Sequence, residues 1–244
     1  MLRAIIDSMA FRTELFVLDN VNGVIAETLK HGLINPTDEQ KDHYRSVTGR
    51  NYNRVKRASS VYLLHHERGQ TFTAIEWKKS GLVEVAVHGM QQYFDIGVLT
   101  DSAIQKKAAL FEILAQLDGF MISRVDYAID MEKIPPRIIK RLSLKRHTKQ
   151  VRTTTYYQPI KQKERENPRL KIMTYDKALK DNLSVPMMRL EFALKSKFWT
   201  NDRVVLDAIN EMISTKGQTV IKRWTGENVK VQELFEKASF SHAR

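Results

Sequence analysis

Two short stretches put carboxylates where strands would carry them. In Arg124-Val125-Asp126-Tyr127-Ala128-Ile129-Asp130, side chains of an extended backbone alternate between faces, so Asp126, Ala128 and Asp130 share one face and Val125, Tyr127 and Ile129 the other. In Arg189-Leu190-Glu191-Phe192-Ala193-Leu194 the same rule sets Arg189, Glu191 and Ala193 against Leu190, Phe192 and Leu194. An acid on an apolar strand has to be paired, hydrogen-bonded or bound to a cation, because an isolated buried charge costs too much. Were the two strands neighbours, Asp126 and Glu191 would converge on a hard divalent cation such as Mg²⁺ or Mn²⁺, with Asp130 a further candidate ligand. The same spacing serves a second reading, in which Arg124 and Arg189 neutralise the acids in structural ion pairs. Glu84 and His88 of Leu82-Val83-Glu84-Val85-Ala86-Val87-His88 also share a strand face and add two candidate ligands, although a His at a strand end equally suits a surface.

The chain has no Cys, which excludes disulfides, thiolate nucleophiles and Cys-bound metals. Tyrosine is the remaining nucleophile class. Tyr175 lies in Arg169-Leu170-Lys171-Ile172-Met173-Thr174-Tyr175-Asp176-Lys177, and an extended backbone brings Lys171 and Lys177 to its side. A phenol with a pKa of about 10 needs positive charge or a base nearby to attack a phosphodiester at neutral pH. A ring packed on a strand with solvated lysines for neighbours is the structural alternative. Tyr156 and Tyr157 are rivals, but adjacent strand residues face opposite ways, so at most one of them can enter the same site. Phosphate-cradling glycine loops, HExxH and GxSxG are absent, which argues against an ATP-driven motor.

Charge points to the partner. The 244 residues hold 40 Lys plus Arg against 28 Asp plus Glu, a net charge of +12. Between Lys133 and Lys180 there are 15 Lys or Arg and three acids, so this block alone carries the whole net charge. Such a block suits a polyanion, since each phosphate neutralised releases counterions. Arg152, Lys161, Lys163, Arg169 and Lys171 are the candidate DNA contacts, and a solvated surface without a partner is the plainer alternative. No apolar run approaches the roughly 18 residues of a membrane span, and the expectation is a cytoplasmic protein without a membrane partner.

The elements that must position these residues alternate in type. Runs at 61–65, 70–77 and 82–88 read as an antiparallel meander. A capped apolar face over 100–119 predicts a helix, 120–131 a strand, and Pro135-Pro136 opens a helix to about His147. Strands are expected at 151–157, 169–175 and 188–194, with a loop over 161–168, and helices at 202–214, 218–225 and 229–238. The turn at Gly23 leads into a helix through His31. Meander and helix occur twice, which resembles an internal duplication of elements. The expected class is α+β, antiparallel sheet flanked by helices. It forms one compact domain over 1–244 with sub-halves 1–118 and 119–200 and a helical part 201–244.

Taken in order, Ser123-Arg124-Val125-Asp126, then Tyr175-Asp176-Lys177, then Met188-Arg189-Leu190-Glu191-Phe192 resemble segments of rolling-circle replication initiators, notably the gene II replication proteins of filamentous phages and the Rep_trans initiation factors of plasmids. The likeness spans about residues 70–200. It implies a divergent HUH endonuclease fold and a metal-dependent DNA nicking and closing enzyme. Asp126 and Glu191 match the family's metal-holding acids, Tyr175 its nucleophile and Lys177 the nearby lysine, while Asp130 has a counterpart only in the Rep_trans pattern. The His-hydrophobic-His signature of most rolling-circle nucleases is missing. The implied partners are origin DNA, duplex or extruded single strand, and a bacterial host's helicase and polymerase. A non-catalytic DNA-binding regulator, or a relaxase or transposase with the same chemistry, fits the same residues.

Overall fold

A computed structural model describes residues 1–13, 24–31, 58–66, 71–77, 82–90, 117–165, 168–199 and 201–234, with isolated positions at 37–39, 42, 110, 114 and 115. The chain divides into two compact units, one of residues 1–7, 124–200 and 207–244, the other of residues 8–123 and 201–206. Among the described residues no helix is long and apolar enough to cross a membrane. The class is α+β with mainly antiparallel pairing, as expected.

In the second unit, strands β2 (Val24–His31), β3 (Ala58–His66), β4 (Thr71–Trp77) and β5 (Val83–His88) form a meander in which each pairs antiparallel with the next. β5 also pairs with residues Ser8–Thr13 of β1 (Leu2–Thr13). Three of these strands match the sequence reading. The stretch before His31 does not, because it is strand rather than helix: its β-branched Val24, Ile25 and Thr28 find a partner in β3. Most of the helix expected over 100–119 lies outside the described residues, although Leu110, Leu114 and Leu117 are buried.

The first unit centres on β10 (Met188–Lys195), flanked antiparallel by β6 (Met121–Met131) and β9 (Leu170–Asp176). β8 (Thr154–Gln158) pairs with β9, and β7 (His147–Val151) closes the edge. For the β7 segment the sequence pattern predicts the end of a helix and the start of a strand. Instead α1 (Pro136–Lys145), opened by Pro136 and anchored by buried Ile138 and Leu142, stops where Arg146 turns extended. Short α2 (Gln162–Arg165) occupies the loop expected at 161–168, and α3 (Lys177–Asp181) follows β9 directly.

After β10 the chain forms one 17-residue helix, α4 (Ile209–Thr225), in place of two. Gly217 does not break it. A Cβ there would collide with Cε1 of Tyr127, so the glycine is what lets helix and sheet approach, and the Tyr127 hydroxyl donates to the carbonyl of Ile213 at 2.6 Å. Gly226 ends the helix in the left-handed region with φ 80°. Over its described residues the expected last helix is absent: Val229–Val231 form β11, which pairs in parallel with Leu2–Ala4 of β1, and 235–238 lie outside the described residues. Tyr127, Ile129, Leu190, Phe192, Leu194 and Ile172 face α4 and are buried, which leaves the opposite face of this sheet for the charged residues.

Candidate active site

Register assembles that face. Arg189 lies opposite Asp130 on β6 and opposite Tyr175 on β9, Glu191 opposite Ala128 and Met173, and Ala193 opposite Asp126 and Lys171. Opposed residues point the same way, so Asp126, Asp130, Arg189, Glu191 and Tyr175 share one surface of three adjacent strands. The alternation and adjacency read from the sequence are therefore present. Ala128 and Ala193 matter because larger side chains would fill the space between the acids; both are fully buried.

Two ion-pair systems organise the surface. Arg124 grips Asp126 in a fork, Nε to Oδ1 at 2.6 Å and Nη2 to Oδ2 at 2.5 Å. Arg189 does the same to Asp130 at 2.6 and 2.7 Å, while its Nη1 donates to Asp7 at 2.7 Å. Lys177 Nζ also reaches Asp130 at 2.8 Å. Burial alone would raise the Asp130 carboxyl, but the hydrogen bonds from Arg189 and Lys177 prevail and hold it below its ordinary range. Burial opposes the Arg189 charge, yet Asp130 and Asp7 keep that guanidinium above its usual value. The arginine reading of the sequence thus describes Asp130 and Asp126 as they stand.

Glu191 differs. It is 6% exposed, and burial, then the Asp126 and Asp7 carboxylates, push its pKa up to about 7. The Tyr175 hydroxyl donates to its Oε2 at 3.3 Å. Burial first, and the Glu191 carboxylate second, raise the phenol well above its ordinary value. The lysines expected to lower it are engaged elsewhere. Strand β9 ends at Asp176, whose carboxylate caps α3 through the amide of Leu179, so Lys177 starts a helix and turns to Asp130. Lys171 Nζ sits 5.1 Å from the centre of the Tyr156 ring. Lys180 Nζ lies 4.9 Å from the centre of the Tyr175 ring, over its face rather than at its oxygen.

Asp126 and Glu191 suit a hard cation in donor chemistry. Among the described residues no three His, Cys, Asp or Glu side chains gather at metal-holding distance. Two carboxylates completed by substrate phosphate and water are nevertheless a usual Mg²⁺ arrangement. The raised Glu191 pKa marks a carboxylate that a cation would stabilise in its charged form.

Glu84 and His88 belong to the other unit. Glu84 accepts from Ser123 Oγ at 3.1 Å, and the His88 side chain lies outside the described residues. Of the candidate DNA contacts, Arg152 (φ 53°) tops the β7–β8 turn, while Lys161, Lys163 and Arg169 are exposed. Tyr157 is buried on the α4 side, whereas Tyr156 aligns with Met173 on the same face as Tyr175 but two strands from Glu191. Asp7 escaped the sequence reading as a site residue; its one trace was a charge ending the apolar run Ala4-Ile5-Ile6.

No protein-family model matches the chain, and no curated protein matches it. Among solved structures the chain is similar to a rolling circle replication initiator protein from Geobacillus stearothermophilus, at 13% identity over 92% of this chain and 86% of that one, with a TM-score of 0.46.

Proposed function

We propose that the protein initiates rolling-circle replication by nicking one strand of origin DNA with Tyr175 and later rejoining the ends. The observation that carries this reading is the hydrogen bond from a buried tyrosine hydroxyl to Glu191, on a face shared with Asp126. It supports the motif order that resembles the initiators. With its own pKa raised, Tyr175 reacts only if its proton leaves as it attacks, and the Glu191 oxygen that accepts its hydrogen bond is placed to receive that proton. The Tyr175 oxygen bonds to phosphorus in line as the bond from phosphorus to the 3′ oxygen breaks. The phenolic proton passes to Glu191, and the departing oxygen takes one from solvent. A 5′-phosphotyrosine and a free 3′-hydroxyl result, and the reverse attack rejoins the strand.

Asp126 and Glu191 would hold Mg²⁺ or Mn²⁺, which supplies positive charge to the scissile phosphate. Arg189, tied to Asp7 and Asp130, fixes the strand position opposite Tyr175, and Lys177 completes that clamp. Unwinding and synthesis fall to the host's helicase and polymerase.

The test is conversion of a supercoiled plasmid carrying the cognate origin, with Mg²⁺, followed by mass spectrometry of the digested adduct. The 5′-phosphate is expected on the peptide containing Tyr175, with no adduct from Tyr175→Phe. Glu191→Gln should bind the origin and nick roughly 10²–10⁴-fold more slowly. In Mg²⁺ the rate should level off at a pH below 7, because a cation on Asp126 and Glu191 favours the ionised Glu191 that burial alone disfavours. Adduct on Tyr156 or Tyr157 would move the nucleophile, full activity in excess EDTA would remove the metal, and absence of nicking under every condition would leave a DNA-binding regulator.

A further inference from the structure

On the α4 side of the first unit's sheet, opposite the face of Tyr175 and Glu191, a cleft of about 1010 Å³ opens between the end of α1, residues 159–164 and 168–170, and the last turns of α4. Seven Lys or Arg side chains line it against one described acid, Glu164. Phe198 and Trp224 put rings in the wall, and Ile160, Leu170 and Val220 add apolar surface.

Arg146 is its centre. Its guanidinium stacks on Trp224, 4.3 Å from the ring centre, and its Nη1 donates to the carbonyls of Tyr157 and Leu170 at 3.2 and 3.3 Å. Its Nε is buried with no hydrogen-bond partner. An orphaned buried donor on a cation calls for an acceptor, and an anionic one meets both needs. Burial lowers the Arg146 pKa to about 10, as expected for a charge short of counter-charge.

We infer that this cleft binds a single-stranded DNA segment distinct from the one presented to Tyr175. Cations alone would suit any phosphate. The Phe198 ring, the Arg146 guanidinium held flat on Trp224 and the apolar walls offer stacking surfaces inside a concave site that suit unpaired bases, and stacking combined with backbone cations is how proteins hold single strands. The volume sits at the top of the roughly 300–1,000 Å³ range of small-molecule sites, which favours several nucleotides over one. Because the sheet separates cleft from nucleophile, the bound segment is not the one being cut. The inference rests on the DNA-binding reading above but not on the chemistry of Tyr175.

The experiment measures fluorescence anisotropy of a labelled oligothymidylate of about fifteen residues, and of labelled duplex origin, with the full chain in EDTA across a salt series. Trp224→Leu should weaken oligothymidylate binding at least about fivefold. The double variant Lys197→Ser/Arg223→Ser, at two exposed positions and therefore compatible with folding, should lower the log-affinity against log-salt slope by about 0.7 for each phosphate left without its cation. Both variants should hold duplex origin within about twofold of wild type. An unchanged slope in a double variant with wild-type circular dichroism would overturn the inference. So would competition by dTTP as effective as by the oligomer, which would make the cleft a nucleotide pocket. If wild type binds duplex origin but no oligothymidylate, the cleft assignment fails alone, whereas loss of both fails the DNA reading itself.

Discussion

At the scale of single residues, the acids on this face follow different rules according to which cation each meets. Asp130 receives two hydrogen bonds from Arg189 and one from Lys177 and is held ionised, while Glu191 accepts one from a neutral phenol and is crowded by Asp126 and Asp7. The consequence for stability has a definite sign. A carboxyl whose folded pKa lies near 7, above its ordinary 4.5, binds its proton more tightly in the folded state, so its contribution is complete below about pH 4.5 and is lost as pH rises through 7. Glu191→Gln lacks that loss. Urea denaturation in EDTA should therefore show the variant gaining on wild type by on the order of 1–3 kcal/mol between pH 4 and pH 8. A difference that stays constant with pH would mean that Glu191 titrates normally. The sequence located Glu191 by alternation and Tyr175 by its basic neighbours and motif order. It did not reveal that Glu191, rather than a lysine, is the phenol's partner, because Lys177 sits past the end of β9 and the capping role of Asp176 decides where that strand stops.

Secondary-structure elements were legible in proportion to how local their causes are. β6, β9 and β10 announce themselves through alternation, and α1 through the prolines that open it, so the face bearing the site is readable from residue order alone. β11 is not, since three residues become a strand only by pairing with Leu2–Ala4, more than two hundred positions away. Gly217 misleads for a related reason. Helix propensity ranks it as a breaker, yet α4 passes through it because Tyr127 occupies the space a side chain would need. Gly217→Ala sets two effects against each other: a gain of about 1 kcal/mol in helix propensity and an overpacking cost of about 1–3 kcal/mol against a ring that is itself hydrogen-bonded to Ile213. The ring is fully buried and pinned at its hydroxyl, so it cannot swing aside and the cost should win. A lower urea midpoint for Gly217→Ala is expected, and an equal or higher one would show that α4 can shift off the sheet.

For the molecule as a whole, charge separates the two units. The one containing residues 1–7, 124–200 and 207–244 holds 26 Lys plus Arg against 14 Asp plus Glu, while the other holds 14 against 14. The entire net charge of +12 therefore belongs to the unit that carries Tyr175, Glu191 and the basic cleft. Counterion release depends on the charges that meet phosphate rather than on a protein's total, so a neutral unit contributes to the salt dependence only through local contacts. Paired neutralisation in each unit distinguishes the cases. Lys149→Ser/Arg152→Asn, at exposed positions of the Lys133–Lys180 block that do not line the cleft, should reduce the slope of log-affinity against log-salt on duplex origin DNA by about 0.9 for each phosphate left without its cation. Lys78→Ser/Lys79→Ser removes the same charge from the neutral unit and should leave that slope unchanged. Equal reductions from both pairs would mean that DNA runs across both units and that the concentration of charge between Lys133 and Lys180 does not mark the footprint.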